Sequence, residues 1–347
     1  MKHPFILLAL PLAFMLACTS NEDIQEAVDE PANSVKPIRI EVSEIPLTDP
    51  EAGNNASRRA PIYTKETLSS FYYNGYWNRN GKLDPSYVTR TDNNSKWETT
   101  GSWPSGVSDD TDIHFYAFAN VDNSPSPFYY GDYSNGYSPF LYFMVDQYSE
   151  DQKDLLVATQ TAKPKDETVY FHFTHPCAAL QFAICKTKAL TNFEIKVEKI
   201  VLHNIYSSGY YYFDSKEWVV DDDYESLSDF TIFAYNNNTI GRLSINQPEV
   251  SSTDRSNSIL LGKDEADYLF FIPQTVQAWE SGKFSESDGA YIEIVCSILK
   301  NGKDYADNGS VYIPFAAELK MGYIHRYNIR MSTSLMNADG NIINFRN

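Results

Sequence analysis

Apolar and polar residues alternate with a period of two through much of the chain. The clearest run is Thr168 to Cys185, TVYFHFTHPCAALQFAIC. Val169, Phe171 and Phe173 share one face and Tyr170, His172 and Thr174 the other. After His175-Pro176 the alternation resumes, with Ala178, Leu180, Phe182 and Ile184 opposite Ala179, Gln181 and Ala183. Aromatic and β-branched residues in this rhythm predict two half-buried strands, broken where proline removes a ladder donor. The run marks a hinge between two β domains.

The same rhythm places the other elements. Lys36–Ile45 sets Ile38, Ile40 and Val42 against Arg39, Glu41 and Ser43, which predicts a strand. A loop rich in Pro, Gly and Asn follows and carries Arg58-Arg59 before Ala60-Pro61. Strands are then expected at Phe71–Trp77, Ile113–Ala119, Phe140–Tyr148 and Leu155–Thr159, with NRNGKLDP among the loops between them. Farther on, Ile195–Ile205 changes apolar parity near Lys199, which predicts a bulge. Asp214-Ser215-Lys216 reads as a hairpin turn. Phe230–Tyr235, Leu269–Ile272, Ile292–Ile298, Val311–Phe315 and Tyr323–Met331 complete the set, with a turn at Asn337–Gly340 and a short segment Asn341–Phe345 after it. No segment has a convincing helical period. The fold class expected is all-β: two β-sandwich domains in tandem, 36–166 and 167–347.

Composition fits that picture, with 25 Tyr and 20 Phe in 347 residues. Tyr suits sheets whose outer face touches water, because the ring buries while the hydroxyl stays wet. The net charge of −18 argues against nucleic acid or anionic lipid as a partner. At the N-terminus, Lys2 and His3 precede an apolar run, Phe5–Ala17, that is shorter than the ~20 helical residues needed to span a bilayer. Residues 1–17 followed by Cys18 resemble a bacterial lipoprotein signal, with Cys18 as the acylated residue. Met15 and Leu16 depart from its commonest form, and an ordinary secretory signal with a chance cysteine stays open. Residues 18–35 are polar, acidic and punctuated by proline, as in a flexible tether. Cys177, Cys185 and Cys296 are an odd set without short spacing, so free buried thiols are expected.

Sequence motifs for catalysis are missing: there is no GxSxG, HExxH, GxGxxG, phosphate-binding loop or EF-hand pattern. No enzyme, metal or cofactor is expected, although paired carboxylates brought together only by folding lie beyond what a sequence can exclude. His172 and His175 fall on opposite faces of an extended run and make a poor metal pair. The aromatic stretches Tyr72–Trp77, Trp97–Trp103 and Tyr129–Tyr142 are candidates for stacking on sugar rings, against the simpler expectation that they pack on the sandwich.

Several segments in order carry a resemblance. These are DLLVA at Asp154–Ala158, the run from Val169 to Ile184, Leu202-His203-Asn204 before Gly209, FFIPQ at Phe270–Gln274, and GYIHRYNI at Gly322–Ile329. Together they resemble the fimbrillin-like proteins of Bacteroidota. The resemblance implies transthyretin-like β-sandwich domains and a lipoprotein precursor that becomes a subunit of a surface pilus. It implies outer-membrane attachment through Cys18 and cutting by an arginine-specific protease at Arg58 or Arg59. It also implies loss of the strand bearing Ile38, Ile40 and Val42, and filling of the vacated groove by another pilus subunit's C-terminal strand. The candidates for that donor are Tyr323, Tyr327 and Ile329. A lipid-anchored surface glycan-binding protein is the alternative function.

Overall fold

A computed structural model of the chain describes residues 36–43, 67–78, 80–91, 96–119, 139–148, 151–222, 226–235, 243–251, 256–261, 268–280 and 289–333. The strands in chain order are β1 (Arg39–Val42), β2 (Ser70–Trp77), β3 (Gly81–Arg90), β4 (Trp97–Thr99), β5 (Ile113–Ala119), β6 (Phe140–Met144) and β7 (Leu156–Ala162). Next come β8 (Thr168–Phe171), β9 (Ala178–Lys186), β10 (Phe193–Tyr206), β11 (Ser208–Tyr212), β12 (Glu217–Val220), β13 (Leu227–Ala234) and β14 (Leu243–Ile245). The last are β15 (Ile259–Leu261), β16 (Leu269–Phe271), β17 (Gln274–Val276), β18 (Tyr291–Lys300), β19 (Lys303–Pro314), β20 (Ala317–Leu319) and β21 (Ile324–Met331). The described residues hold short 3-10 turns at Pro164–Asp166 and Lys188–Leu190 and no α-helix. The fold is all-β.

Two hydrophobic clusters organise these strands. The first lies between a five-stranded sheet, β4-β3-β2-β5-β7, and the pair β1-β8. Phe71, Tyr73, Val88, Ile113, Phe115 and Leu156 come from the sheet; Ile38, Ile40, Val42, Val169, Phe171 and Phe173 come from the other layer. Phe71 meets Phe171 and Phe173 edge-on at 5.4 and 5.0 Å, the geometry that ring quadrupoles favour.

The second cluster packs β13-β10-β18-β19, with β14 also on β10, against β15-β9-β16, with β21 on β9. Phe230 of β13 meets Phe271 of β16 at 4.7 Å. The inner side of the three-stranded sheet β12-β11-β6 belongs to this cluster too, through Leu141, Phe143 and Tyr211. So do Tyr76, Tyr116 and Phe118, from the far side of the five-stranded sheet. Tyr116 joins the two parts, stacking edge-on against Phe213 at 5.4 Å and donating to Asp214 Oδ1 at 3.0 Å.

The bulge expected near Lys199 is present as a register shift between Val197 and Lys199 in the β10–β18 pairing. A second irregularity at Leu202/Ile205 leaves Asn204 at φ 62°, its Nδ2 donating to Gly289 O at 2.9 Å. Gly289 itself has φ 98°, and a Cβ there would lie 2.5 Å from Ala278 O, so only glycine fits. Cys177, Cys185 and Cys296 are free and buried.

Candidate functional site

The strand bearing Ile38, Ile40 and Val42 has one true strand partner among the described residues. β1 runs parallel to β8 over four pairs, Arg39–Thr168, Ile40–Val169, Glu41–Tyr170 and Val42–Phe171. Alternation sets its polarity: Ile38, Ile40 and Val42 are buried, while Arg39 and Glu41 face water opposite Thr168 and exposed Tyr170. The ladder continues at both ends. Arg39 N donates to Glu167 O at 3.0 Å, Ser43 N to Phe171 O at 3.1 Å, and the Arg39 guanidinium meets Glu167 at 3.4 Å. Among the described residues, the second edge of β1 is held near its start, by Ile38 N donating to Gly101 O at 3.2 Å and a bridge from Pro37 to Ser102.

Burying three aliphatic side chains contributes ~1.5–3 kcal/mol each. Against this, β1 is four residues long and pairs in the parallel sense, which is slightly weaker per residue than the antiparallel one. It is a thin ribbon seated in a deep apolar groove. Arg58 and Arg59 belong to residues 44–66, between β1 and Thr67, and lie outside the described residues, as does Cys18.

The three donor candidates have unequal surroundings. β21 pairs in parallel with β9 along all eight positions, from Ile324–Ala179 to Met331–Lys186. Ile329 is buried, Tyr327 stacks on Phe182 at 5.7 Å and meets Phe315 at 5.0 Å, and Tyr323 is 37% exposed. Side chains hold the strand as well. Arg330 binds Glu249 through two hydrogen bonds at 2.6 and 2.8 Å, Arg326 reaches Gln181 at 3.2 Å, and Asn328 reaches Ser258 at 3.0 Å. The bidentate pair lowers the Glu249 pKa and raises that of Arg330, the hydrogen bond being the leading cause in each. The turn at Asn337–Gly340 and the segment Asn341–Phe345 lie outside the described residues.

The sequence matches the model of the fimbrillin-like family over residues 78–344. The chain belongs to that family. Its fold is similar to that of a fimbrial protein from Bacteroides vulgatus, at 17% identity and a TM-score of 0.58, covering 86% of this chain and 95% of the other. It also resembles a candidate cell adhesion protein from Parabacteroides distasonis, at 10% identity and a TM-score of 0.50, covering 90% and 92% of the two chains. No curated protein matches by sequence. Family membership supports a pilus or adhesion subunit at the cell surface, structural rather than enzymatic.

The histidines of this fimbrillin-like protein hold strands together. His172 Nδ1 lies 2.9 Å from Ser43 Oγ at the end of β1. His175 is buried against Asp154, its Nδ1 2.9 and 2.8 Å from the two carboxylate oxygens, which ties the link between β8 and β9 to the start of β7. His203 bridges three strands, with Nδ1 2.9 Å from Asp229 of β13 and Nε2 3.2 Å from Glu293 of β18. Glu293 also accepts from Ser310 and Tyr312 of β19 at 2.8 and 3.1 Å. Burial alone would lower the His203 pKa, but hydrogen bonds to the two carboxylates and their charge hold it above the usual 6.5. The hydrogen bond from His203 leads in taking Glu293 down to about 2, against burial and with help from Ser310 and Tyr312. Among the described residues, no group of three or more His, Cys, Asp or Glu is placed to hold a metal ion.

Sequence inspection missed these carboxylate partners, because Asp154, Asp229 and Glu293 carry no local pattern and meet their histidines only across strands. The aromatic stretches fare differently from one another. Tyr73, Trp97 and Trp103 are buried in the first cluster, so their rings pack the protein. Phe140 and Tyr142, at the end of the third stretch, lie on β6.

Proposed function

We propose that this chain is a subunit of a surface pilus that polymerises by strand exchange. β1 is the strand given up, an arginine-specific protease frees it by cutting at Arg58 or Arg59, and a neighbouring subunit's C-terminal segment takes its seat. The supporting observation is the seat itself. β1 is a short ribbon whose apolar face is wholly buried, and β8 has no other strand partner among the described residues. Removing β1 would expose the edge of β8 together with the apolar groove beneath Ile38, Ile40 and Val42, a template that another strand can complete.

In this reading the tandem division is functional. The first lobe is the acceptor, and because Val169, Phe171 and Phe173 line its cluster, it extends past residue 166 to Phe173. The second lobe is the donor. Using Tyr323, Tyr327 and Ile329 as donor residues requires β21 to leave eight pairings and the Arg330–Glu249 pair. The residues after 333, which include Ile342, Ile343 and Phe345, lie outside the described residues and are the second donor candidate. Anchoring through acylated Cys18 would hold the precursor at the outer membrane until the cut.

The test is treatment of the purified precursor with an arginine-specific protease. A stable product beginning at Arg59 or Ala60, followed by SDS-resistant oligomers, is expected. Replacing Arg58 and Arg59 together by Ala should leave a monomer. Oligomers that form equally well from the double variant would remove the protease from the mechanism. A cut product that stays monomeric would remove strand exchange.

A further inference from the structure

We infer that the buried Asp154–His175 pair sets the register of β8, and that it thereby decides which residues of an incoming strand meet which part of the seat of β1. The second half of this inference rests on the strand-exchange reading; the first does not. Among the described residues β8 pairs with β1 alone, so no second strand fixes it along its own axis. Its inward side chains fix it weakly. Val169, Phe171 and Phe173 repeat at every second position, so a slide of two residues keeps each side chain on its face. Phe171 would then stand where Phe173 stood, 6.1 Å away, one ring for another. Backbone bonds do not choose either. Val157 N donates to Thr174 O at 3.0 Å and Thr174 N to Val157 O at 2.9 Å, contacts that most residues in place of Thr174 could make. Ahead of β8, the turn Pro164–Asp166 is held by ion pairs of Lys165 with Asp110 at 2.5 Å and of Lys163 with Asp112 at 3.6 Å, all partly exposed. Pairs of that kind contribute little, and the turn with Glu167 at φ 59° can straighten to feed chain into a slide.

Asp154 and His175 are different in kind. Their side chains are 1% and 2% exposed, and both carboxylate oxygens lie within 2.9 Å of Nδ1, which places a proton on that nitrogen. Nε2 is buried without a hydrogen-bond partner among the described residues, so the bond to Asp154 is the ring's polar contact. A slide of two residues would carry the ring roughly 6–7 Å from the carboxylate and leave both buried without each other. Asp154 acts on Cys177 as well, whose thiol is pushed well above its ordinary range by burial first and by that negative charge second. A buried ionic pair is a weak source of stability, since apolar residues of similar volume hold a core equally well; what it supplies is one permitted position. On the other side of His175, Pro176 O accepts from Trp218 Nε1 at 2.6 Å and Cys177 O from Gly322 N at 2.9 Å, which seat the link on the second lobe. The pair seats it on the first. With His175 fixed, Val169 and Phe171 come to lie opposite Ile40 and Val42. A strand that replaces β1 meets the same edge, so two of its apolar residues must fall at those two positions.

The test is disulfide trapping in the uncut protein. Glu41→Cys is combined in turn with Thr168→Cys, Tyr170→Cys and His172→Cys, the protein is oxidised, and the bridges are mapped by peptide mass spectrometry. Glu41 and Tyr170 are paired and face water, whereas Cys177, Cys185 and Cys296 are buried and stay out of reach. Thr168 and His172 lie two residues to either side of Tyr170, about 8 Å from Glu41 and past the ~7 Å limit for a disulfide. In the parent only the pair at Tyr170 should close. With Asp154→Val and His175→Leu together, the pair at Thr168 or His172 should close as well, at a melting temperature no lower than the parent's. Asp154→Ala repeats the test without added volume and should also lose the single register, while Asp154→Asn, which keeps an acceptor for Nδ1–H, should retain it. Bridges confined to Tyr170 in both the Val/Leu double variant and Asp154→Ala would overturn the inference, as would a parent that closes at Thr168 or His172 as readily as at Tyr170. A parent that closes only at Tyr170 but stays monomeric after the arginine-specific cut would sink strand exchange and leave the register role of the pair standing.

Discussion

Ile40 and Arg39 are neighbours on β1 with opposite surroundings, and their substitutions should separate accordingly. Ile40→Ala removes a buried side chain from the first cluster and should destabilise the uncut chain by about 2–4 kcal/mol in urea unfolding. Arg39→Ala loses only an exposed ion pair with Glu167 and should change stability by less than about 1 kcal/mol. Gly101 acts on the same strand from its other edge. A Cβ there would stand 1.8 Å from the Tyr73 hydroxyl, so Gly101→Val should displace Tyr73 and lower stability by about 1–3 kcal/mol. His203 gives the molecule a pH dependence with two arms. Its raised pKa means that its contribution is complete below the ordinary 6.5 and is lost as pH rises through the folded value. Glu293, held down at about 2, contributes fully above its ordinary 4.5 and loses that contribution as pH falls toward about 2. Melting temperature should therefore peak in the weakly acidic window between those two ordinary values. His203→Gln should flatten the alkaline arm, and an unchanged pH profile would show that the Asp229–His203–Glu293 row contributes nothing to folding.

Strands differ in how firmly they are held, and β1 and β21 make the contrast. Both pair in parallel, but β1 has four pairs and β21 eight, with the Arg330–Glu249 pair added. Amide exchange at Glu41, whose N–H faces β8, should accordingly be faster than at Tyr327 and Ile329, and Arg330→Ala should narrow the gap. Alternation alone made β1, β8 and β9 legible, because a half-buried strand writes its two faces into the sequence. Their partnership was not legible, since nothing in Ile38–Val42 points to a parallel neighbour at Thr168–Phe171. Asn80-Gly81 and Pro85 make NRNGKLDP read as loop, yet Gly81–Arg90 forms β3. In the structure, Tyr73 pairs with Ser86 and Gly75 with Leu83, so Asp84 and Pro85 sit at a register shift where proline removes no needed donor. β9 shows the converse error. Ala179 and Gln181 fall on the face opposite Leu180 and Phe182, yet both are buried: Ala179 belongs to the second cluster and Gln181 accepts from Arg326 of β21.

For the whole molecule, the proposed strand exchange requires a fold with a replaceable part. A chain beginning at Ala60 lacks Ile38, Ile40 and Val42, and the groove lined by Val169, Phe171 and Phe173 is left without its cover. Such a chain should melt well below the full protein. Any strand that fits should restore it by mass action, with about 2.7 kcal/mol regained at a hundredfold excess over Kd. Three synthetic peptides separate the possibilities: residues 36–45, the strand given up; residues 323–333, which include β21; and residues 334–347. The first should restore the melting temperature, and a version with Ile38, Ile40 and Val42 changed to Asp should not, because charges would enter an apolar groove. The other two compare only how well each sequence fits the groove, since a free peptide carries none of the cost of detaching β21; the peptide of residues 334–347 should act and that of residues 323–333 should not. Rescue by residues 323–333 alone would instead make β21 the mobile strand and require the Arg330–Glu249 pair to break on assembly. If the truncated chain melts like the full protein without any peptide, β1 contributes nothing that a neighbour could replace, and strand exchange at this seat loses its driving force.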